Sequence, residues 1–208
     1  MKKITENCTG CGACLNSCVK GAIKFVDDGL FSHAFIDDNR CIDCNLCKNI
    51  CPCNKNKSNN DPIIKVARLK DKVDIVKSSS GGIFGELARK VLQEDGVVYG
   101  VTYSSDFKSV YHTRCADIKD VDKLLKSKYV KSDLNNSFEL VLKDLKNNKK
   151  VVFSGTPCQV AGLKFFLKKD YENLYTIDLI CHGTPSPKVW KKYVEWLEKK
   201  ENSKTPEK

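Results

Sequence analysis

Cysteine is the residue type whose number and spacing point most directly to chemistry in this chain. Eight of its twelve cysteines form two runs with the same C-x2-C-x2-C-x3-C spacing, "CTGCGACLNSC" from residue 8 and "CIDCNLCKNIC" from residue 41. The start of the chain lacks the apolar run of a secretory signal, so we expect a cytoplasmic protein with few disulfides. Closely spaced cysteines in that setting indicate a metal or redox centre.

The spacing resembles that of a bacterial-type ferredoxin with two [4Fe-4S] clusters. Three thiolates two residues apart reach three irons of one cluster, whereas the fourth cysteine of each run lies on the next turn and binds the other cluster. Zinc sites usually contain two separate cysteine pairs, which makes zinc the weaker alternative. The predicted ligands of cluster one are Cys8, Cys11, Cys14 and Cys51, and those of cluster two are Cys41, Cys44, Cys47 and Cys18.

Glycines and further thiols lie beside these ligands. Gly10 and Gly12 fall within the first run, where the absence of a side chain lets the backbone approach a cluster. Cys53 follows a complete run and is interpreted as a bystander thiol. Cys115, far downstream, is expected to be packed at the end of a strand.

The chain divides into parts of different composition. Nine of the twelve cysteines lie in the first 53 residues, and the polar stretch "NKNKSNNDP" follows them. Downstream, strand and helix patterns alternate, which predicts an α/β domain with a parallel or mixed sheet. The expected order is an α+β ferredoxin-type two-cluster domain (1–53), a linker (54–62), an α/β domain (63–200) and a polar tail (201–208).

Hydrophobic periodicity places the elements of the second part. Helices are expected where apolar residues share one face, and the clearest case is the segment "IFGELARKVLQ". His33 and His112 have no motif context and are expected at the surface. The predicted strands span 63–69, 97–103, 109–115, 150–155 and 174–181, and the predicted helices cover about 83–95, 137–148, 158–169 and 187–200.

Three segments of the second part combine turn residues with reactive or polar groups: "SSSGG" (78–82), "SGTPCQ" (154–159) and "DLICHGTPSP" (178–187). The first opens a predicted helix, whose free N–H groups form an anion site suited to a pyrophosphate; the alternative is that its serines serve only as a structural helix cap. The other two follow predicted strands, where α/β sheets bind ligands. Cys158 and Cys181 at these strand ends are interpreted as chemical residues, with a structural role as the alternative.

Taken together, four motifs closely resemble the coenzyme F420 hydrogenase/dehydrogenase beta-subunit family over residues 64–200: "SSSGGIFGELA", "SKYVKSDL", "VVFSGTPCQVAGLKFFL" and "LICHGTPSPKVW". The resemblance implies an iron–sulfur flavoprotein oxidoreductase. In such enzymes FAD exchanges a hydride with a deazaflavin such as F420, and the clusters carry single electrons. A fused two-cluster ferredoxin is frequent in the family.

The resemblance also implies roles for single residues. Cys158 and Cys181 match cysteines that help to hold a third [4Fe-4S] cluster, whose other ligands come from a downstream C-x2-C pair that this sequence lacks. The third cluster is therefore expected only with those missing cysteines, and the chain resembles the N-terminal part of a longer protein. No catalytic acid or base is indicated. The residues matched to the FAD site are Ser79, Ser80, Gly81, Gly82, Lys128 and Tyr129.

Charge and composition bear on the partners. The formal net charge is +10, but the 36 basic residues are overwhelmingly lysine and are spread along the chain. Nucleic-acid readout favours arginine, so we expect neither a nucleic-acid partner nor a membrane. Exposed clusters are oxygen-labile, which favours an anaerobic cytoplasm. The expected partners are a redox protein or subunit and a small hydride donor or acceptor; the alternative is a non-catalytic ferredoxin-type electron carrier that docks to a partner subunit.

Overall fold

The N-terminal part of the fold is a small antiparallel sheet that carries the two cysteine runs. The computed structural model describes residues 2–27, 31–55 and 62–201. In the N-terminal part, β1 (Lys2–Lys3), β2 (Ile23–Asp27) and β3 (Ser32–Ile36) form a sheet of order β1-β3-β2. Each cysteine run contains a short helix, α1 (Ala13–Ser17) in the first and α2 (Leu46–Asn49) in the second, and a 3-10 turn (Pro52–Asn54) follows the second run. The α+β character predicted for this part is confirmed.

The second part contains a mixed sheet of order β5-β4-β6-β7. Strands β4 (Val97–Tyr103), β6 (Val151–Gly155) and β7 (Leu174–Asp178) are parallel, and β5 (Val110–Cys115) pairs with β4 in the antiparallel direction. The mixed sheet predicted from the sequence is therefore confirmed. The surrounding helices are α3 (Lys72–Val76), α4 (Ile83–Gln93), a 3-10 helix (Ile118–Leu124), α5 (Ser137–Lys146), α6 (Pro157–Leu167) and α7 (Pro187–Glu201).

Alternation along the strands gives each face of this sheet its own core. Val97, Tyr99 and Phe153 point to the face covered by α5 and α6. Val98 and Val152 point to the opposite face, covered by α4 and the 3-10 helix. The two faces of the sheet therefore have separate neighbours, and α4 lies on the opposite side from α5 and α6.

The first of these cores extends into the N-terminal part of the chain. Cys11, Ala13 and Ile50 belong to the same buried cluster as Phe138 and Leu163. Gly162 of α6 makes the approach close, since a Cβ atom placed there would lie 3.0 Å from the Cys11 carbonyl oxygen and 3.2 Å from its Sγ. The cysteine-rich part and the α/β part are therefore joined by a continuous hydrophobic core.

Several sequence expectations are wrong in detail. Residues 63–69 form no strand: Ile64 is 86% exposed and Val66 is fully exposed. This segment is rich in β-branched residues, but strand propensity depends on a neighbouring strand, and here the backbone pairs with none of the described strands. The strand expected at 174–181 ends at Asp178. In α7, Tyr193 is 48% exposed; its ring stacks on Trp196 and lies at a tilt to the ring of Trp190.

Helix α4 follows its predicted pattern in part. Ala88 and Val91 are buried, and Phe84 and Leu92 pack against the same core. The other apolar residues, Ile83 and Leu87, are about 40% exposed. Residues 56–61 of the expected linker and 202–208 of the expected tail lie outside the described residues.

Candidate functional site

The predicted ligands of cluster one surround one small cavity. Cys8, Cys11, Cys14 and Cys51 line it. Gly10 and Gly12 adopt left-handed backbone angles, with φ of 64° and 79°, and thus shape the tight loop before α1. The Ala34 N–H donates to Cys8 Sγ at 3.5 Å, a contact that orients this sulfur.

The predicted ligands of cluster two surround a separate cavity, lined by Cys18, Cys41, Cys44 and Cys47. The Ala22 N–H donates to Cys18 Sγ at 3.3 Å. Each cavity thus takes three cysteines from one run and the fourth from the other, which is the exchange expected from the spacing. The assignment of these thiols as cluster ligands stays a prediction.

A site for one zinc ion would differ from these two cavities, because zinc needs all of its ligands within about 2.3 Å of one point. In the part of the chain that the structure describes, no three Cys, His, Asp or Glu side chains converge in that way.

Burial controls the protonation of the thiols. It raises the pKa of Cys11 to about 11, and it also raises the pKa values of Cys14, Cys47 and Cys51. Iron binds thiolates, so cluster insertion must displace these protons. Backbone N–H groups that donate to the sulfurs of Cys11 and Cys14 favour the thiolate and partly offset the burial.

A larger cleft, of about 320 Å³, opens at the carboxyl ends of the parallel strands. Five of the six residues matched to the FAD site line it: Ser79, Ser80, Gly81, Gly82 and Lys128. The sixth, Tyr129, is not among the lining residues, and its side chain is 78% exposed. The opposite wall comes from Ser154, Gly155 and Thr156 at the end of β6 and from Gln159 of α6. This location matches the general rule for ligand sites in α/β sheets.

The first turn of α4 faces the cleft with no side chain capping it. Its free N–H groups, together with the helix dipole, favour an anion. Glycine is required before it: a Cβ at Gly81 would lie 2.6 Å from the Ala67 carbonyl oxygen, and one at Gly82 would lie 2.6 Å from Leu69 Cδ1. The Ser79 hydroxyl accepts from the Ser127 N–H at 2.8 Å, so this serine fixes the loop on the other side of the cleft.

Lys128 reaches the cleft but folds back on its own segment. Its ammonium donates to the carbonyl oxygens of Leu125 at 2.5 Å and Lys123 at 3.2 Å. Burial lowers the pKa of Lys128 to about 8. The ammonium is therefore mostly charged at pH 7 and loses its proton as the pH rises through about 8.

His112 was expected at the surface, and this expectation is wrong. It is 3% exposed and stacks on Phe153 with ring centroids 5.2 Å apart. Period-two alternation along β5, which makes His112 a same-face neighbour of buried Val110, could have indicated its burial. Burial lowers the pKa of His112 to about 4, so the ring is neutral at pH 7.

A buried chain of hydrogen bonds runs from His112 to the cleft wall. Nε2 of His112 lies 3.1 Å from the Ser154 carbonyl oxygen, to which it must donate. Nδ1 therefore accepts from the Ser132 hydroxyl at 3.1 Å, and that hydroxyl accepts from Gln159 Nε2 at 3.0 Å. Oε1 of Gln159 accepts from the Thr156 N–H at 3.0 Å. The sequence motifs gave no sign of this network, which fixes the ends of β5 and β6.

The structure brings Cys158 and Cys181 to one further cavity, together with Cys8 of the first run. Cys158 lies in the first turn of α6, with its Sγ 3.2 Å from Thr156 Oγ1. Cys181 is exposed beyond β7 and accepts from the Gly183 N–H at 3.3 Å. These two thiols, distant in sequence, thus lie beside the cluster-one loop.

The remaining two cysteines differ from each other. Cys115 is buried and donates to the Asp117 carbonyl oxygen at 3.2 Å, which agrees with its expected packing. Cys53 lines the cluster-one cavity, and its sulfur lies 3.8 Å from the Thr9 hydroxyl.

Comparisons with known proteins identify both parts of the chain. A family model described as a 4Fe-4S dicluster domain matches residues 7–55. A second, described as the C terminus of the coenzyme F420 hydrogenase/dehydrogenase beta subunit, matches residues 148–205. A search of curated proteins gives no match. Among the helices that the structure describes, none combines the length and hydrophobicity needed to cross a membrane. The resemblance seen in the sequence motifs is therefore confirmed: the two matches reproduce the expected order of a 4Fe-4S dicluster domain followed by a segment similar to the coenzyme F420 hydrogenase/dehydrogenase beta subunit, and together they point to iron–sulfur electron transfer.

Proposed function

We propose that the chain is an iron–sulfur flavoprotein oxidoreductase that passes electrons between a hydride donor or acceptor at FAD and two [4Fe-4S] clusters. The observation that carries this proposal is the position of the cleft. It lies at the carboxyl ends of the parallel strands, against the uncapped first turn of α4. It also shares Lys131 with the cavity that contains Cys8.

The residues of the cleft fit a flavin dinucleotide. The backbone N–H groups of the first turn of α4 would hold the diphosphate, and Gly81 and Gly82 allow residues 67–69 to pack closely against the loop that leads into this turn. Ser80 lines the same wall. Lys128 would add a partial positive charge. Bound FAD supplies two-electron chemistry toward a hydride partner and one-electron chemistry toward clusters.

The arrangement of the cavities supports an order of electron transfer. Cluster one would lie nearest the cleft, because its loop contacts α6 and Lys131. Cluster two would lie farther out, where Cys44, Val19 and Ile42 are exposed. Electrons would therefore move between the cleft and a partner protein through cluster one and then cluster two.

Cys158 and Cys181 would supply two ligands of a third cluster beside cluster one. Their shared cavity supports this assignment, and the remaining ligands would have to come from cysteines that this sequence does not contain. The proposal also includes a small molecule that exchanges a hydride with FAD: F420, a nicotinamide or another compound.

The test is an assay of iron, sulfide and flavin on the same anaerobically purified sample. We expect about eight irons per chain together with FAD. Ser80→Asp places a negative charge at the proposed diphosphate site and should weaken FAD binding at least about tenfold, which equals about 1.4 kcal/mol. The matched control, Ser105→Asp in the exposed β4–β5 turn, should bind FAD as the parent does. Equal FAD affinity in both variants would contradict the assignment of the diphosphate site to the N-terminus of α4.

A second candidate function is a non-catalytic, ferredoxin-type electron carrier. The exposed apolar residues Val19 and Ile42 beside Cys44 favour it, since a carrier needs an accessible cluster. About eight irons without flavin, in a sample supplied with excess FAD, would select this candidate over the flavoprotein.

A further inference from the structure

Lys131 occupies the junction between the cleft and the cluster-one loop. Its side chain lines the cleft and also the cavity that contains Cys8, Cys158 and Cys181. Its ammonium donates to the Thr9 carbonyl oxygen at 2.7 Å. Thr9 lies between the predicted ligands Cys8 and Cys11, so this hydrogen bond crosses directly from the α/β part to the cluster loop.

The side chain is held on both sides. A Cβ placed on Gly10 would lie 3.3 Å from Lys131 Cε, which shows how closely the loop covers the lysine stem. The Lys131 backbone N–H donates to the Pro185 carbonyl oxygen at 3.2 Å, and the next residue, Ser132, belongs to the buried network. The ammonium is also 3.9 Å from Cys158 Sγ.

The charge of this ammonium acts on its surroundings. Burial is the main reason that the pKa of His112 is low, and the positive charge of Lys131 lowers it further. Asp27 and Asp133 line a neighbouring cavity on another side of the lysine. A charge in a partly buried setting is screened less than one at the surface.

We propose that Lys131 is a positioning residue for electron transfer: it fixes the Cys8–Cys11 loop against the cleft and, by its charge, favours the reduced form of cluster one. This inference rests on the proposed function, because it assumes that the two clusters are present. Reduction adds one electron, and hence one negative charge, to a cluster. A nearby cation stabilises that added charge. Lys131 donates to the loop of cluster one and is not among the residues that line the cluster-two cavity.

The test is a redox titration of the cluster-loaded protein with dithionite, followed by EPR under anaerobic conditions. Signals are assigned to the two clusters with the variants Cys14→Ser and Cys44→Ser. Lys131→Met removes the charge but keeps a similar stem, Lys131→Arg keeps the charge, and Lys90→Met is the matched control. Lys90 is exposed on α4, on the opposite side of the sheet from α6.

We expect Lys131→Met to lower the midpoint potential of cluster one relative to that of cluster two by about 59 mV. For one electron, this shift corresponds to a tenfold change in the electron-transfer equilibrium constant. Lys131→Arg should restore most of the difference, and Lys90→Met should leave both potentials unchanged. Loss of cluster-one iron in the Met variant, with retention in the Arg variant, would equally support a role for the ammonium in holding the loop.

Three results would overturn the inference: unchanged potentials in Lys131→Met, an equal shift of both clusters, or loss of cluster-one iron in the Met and Arg variants alike. The last would mean that only the exact packing of lysine matters. Each of these three results counts against the inference only when the parent protein is shown to contain both clusters. A parent that binds no iron would contradict the proposed function itself, and this inference with it.

Discussion

The hydrogen-bond partners of His112 determine which of its ring nitrogens carries the proton. The Ser154 carbonyl oxygen can only accept, so His112 Nε2 must carry the proton and Nδ1 must accept from Ser132. Each donor in the chain through Gln159 is then determined. The imidazole cannot take up a second proton without breaking the bond at Nδ1, which agrees with its low pKa.

This histidine should make stability sensitive to acid. Its pKa falls from an ordinary 6.5 to about 4 in the folded protein, so between these values the unfolded chain binds the proton and the folded chain does not. The contribution of the neutral His112 ring to the free energy of unfolding is therefore fully present above about pH 6.5 and is lost as the pH falls toward 4. At pH 5 the loss is about 2 kcal/mol, and His112→Gln should remove this part of the pH dependence.

Urea unfolding at pH 7.5 and pH 5, with iron measured in each sample, would check the prediction. His182→Gln is the control, because His182 is exposed and its variant should keep the parent's pH dependence. If the His112 variant loses as much stability as the parent between the two pH values, the buried neutral ring is not the cause.

At the scale of elements, the contact between α6 and the loop before α1 joins the two parts of the chain. Gly162 permits it, because the atoms opposite are the backbone oxygen, Cβ and Sγ of Cys11. Gly85 of α4 is also a helix glycine, but the atoms opposite it are the ends of the Leu125 and Arg89 side chains. Side-chain ends can move aside, whereas a backbone oxygen and the sulfur of a predicted cluster ligand cannot.

Alanine at these two glycines should have opposite effects. In an exposed helix the change stabilises by about 1 kcal/mol, and overpacking costs about 1–3 kcal/mol. We expect Gly85→Ala to be neutral or stabilising and Gly162→Ala to be destabilising by about 1 kcal/mol, with loss of cluster-one iron. Thermal unfolding and iron content of the two variants, measured side by side, would contradict this prediction if Gly162→Ala were as stable and as iron-rich as Gly85→Ala.

The sequence predicts those elements whose pattern is decided locally. The apolar face of α5 and the alternation of β4 and β6 are local, and the structure agrees with them. Residues 63–69 have strand composition, but a strand needs a partner that lies elsewhere in the chain. The cysteine spacing predicts which four thiols share a cavity, because in this repeated pattern the fourth cysteine of each run belongs to the site of the other run. The roles of Lys131 and His112 depend on contacts with Thr9 and Ser154, far away in sequence, which no local pattern contains.

For the whole molecule, the arrangement of the three sites implies a sequence of electron carriers. In the proposed function, cluster one would lie between the cleft and cluster two, and Cys44 is exposed at the outer end. A defect in cluster two should therefore block exchange with an external partner while leaving the inner exchange intact. A defect in cluster one should block both.

Cys44→Ser and Cys14→Ser separate these two cases. We expect each variant to lose iron from its own site. In Cys44→Ser, a chemically reduced flavin should still reduce cluster one. The rate at which this variant reduces an added protein acceptor should fall by at least about tenfold, because cluster two, the site nearest the acceptor, is lost. Cys14→Ser should fail in both steps. Cys115→Ser, outside both sites, is the control, and rapid acceptor reduction by Cys44→Ser would refute the order.

The shared core has a consequence for how the protein is made. Cys11 is at once a predicted cluster ligand and a member of the hydrophobic core that covers the α/β sheet. If Cys11 binds cluster one, cluster delivery and maturation of the downstream domain would be a single assembly event. A chain synthesised under iron starvation should remain open around α6, a substrate for cellular proteases, so that protein abundance itself would follow the iron supply.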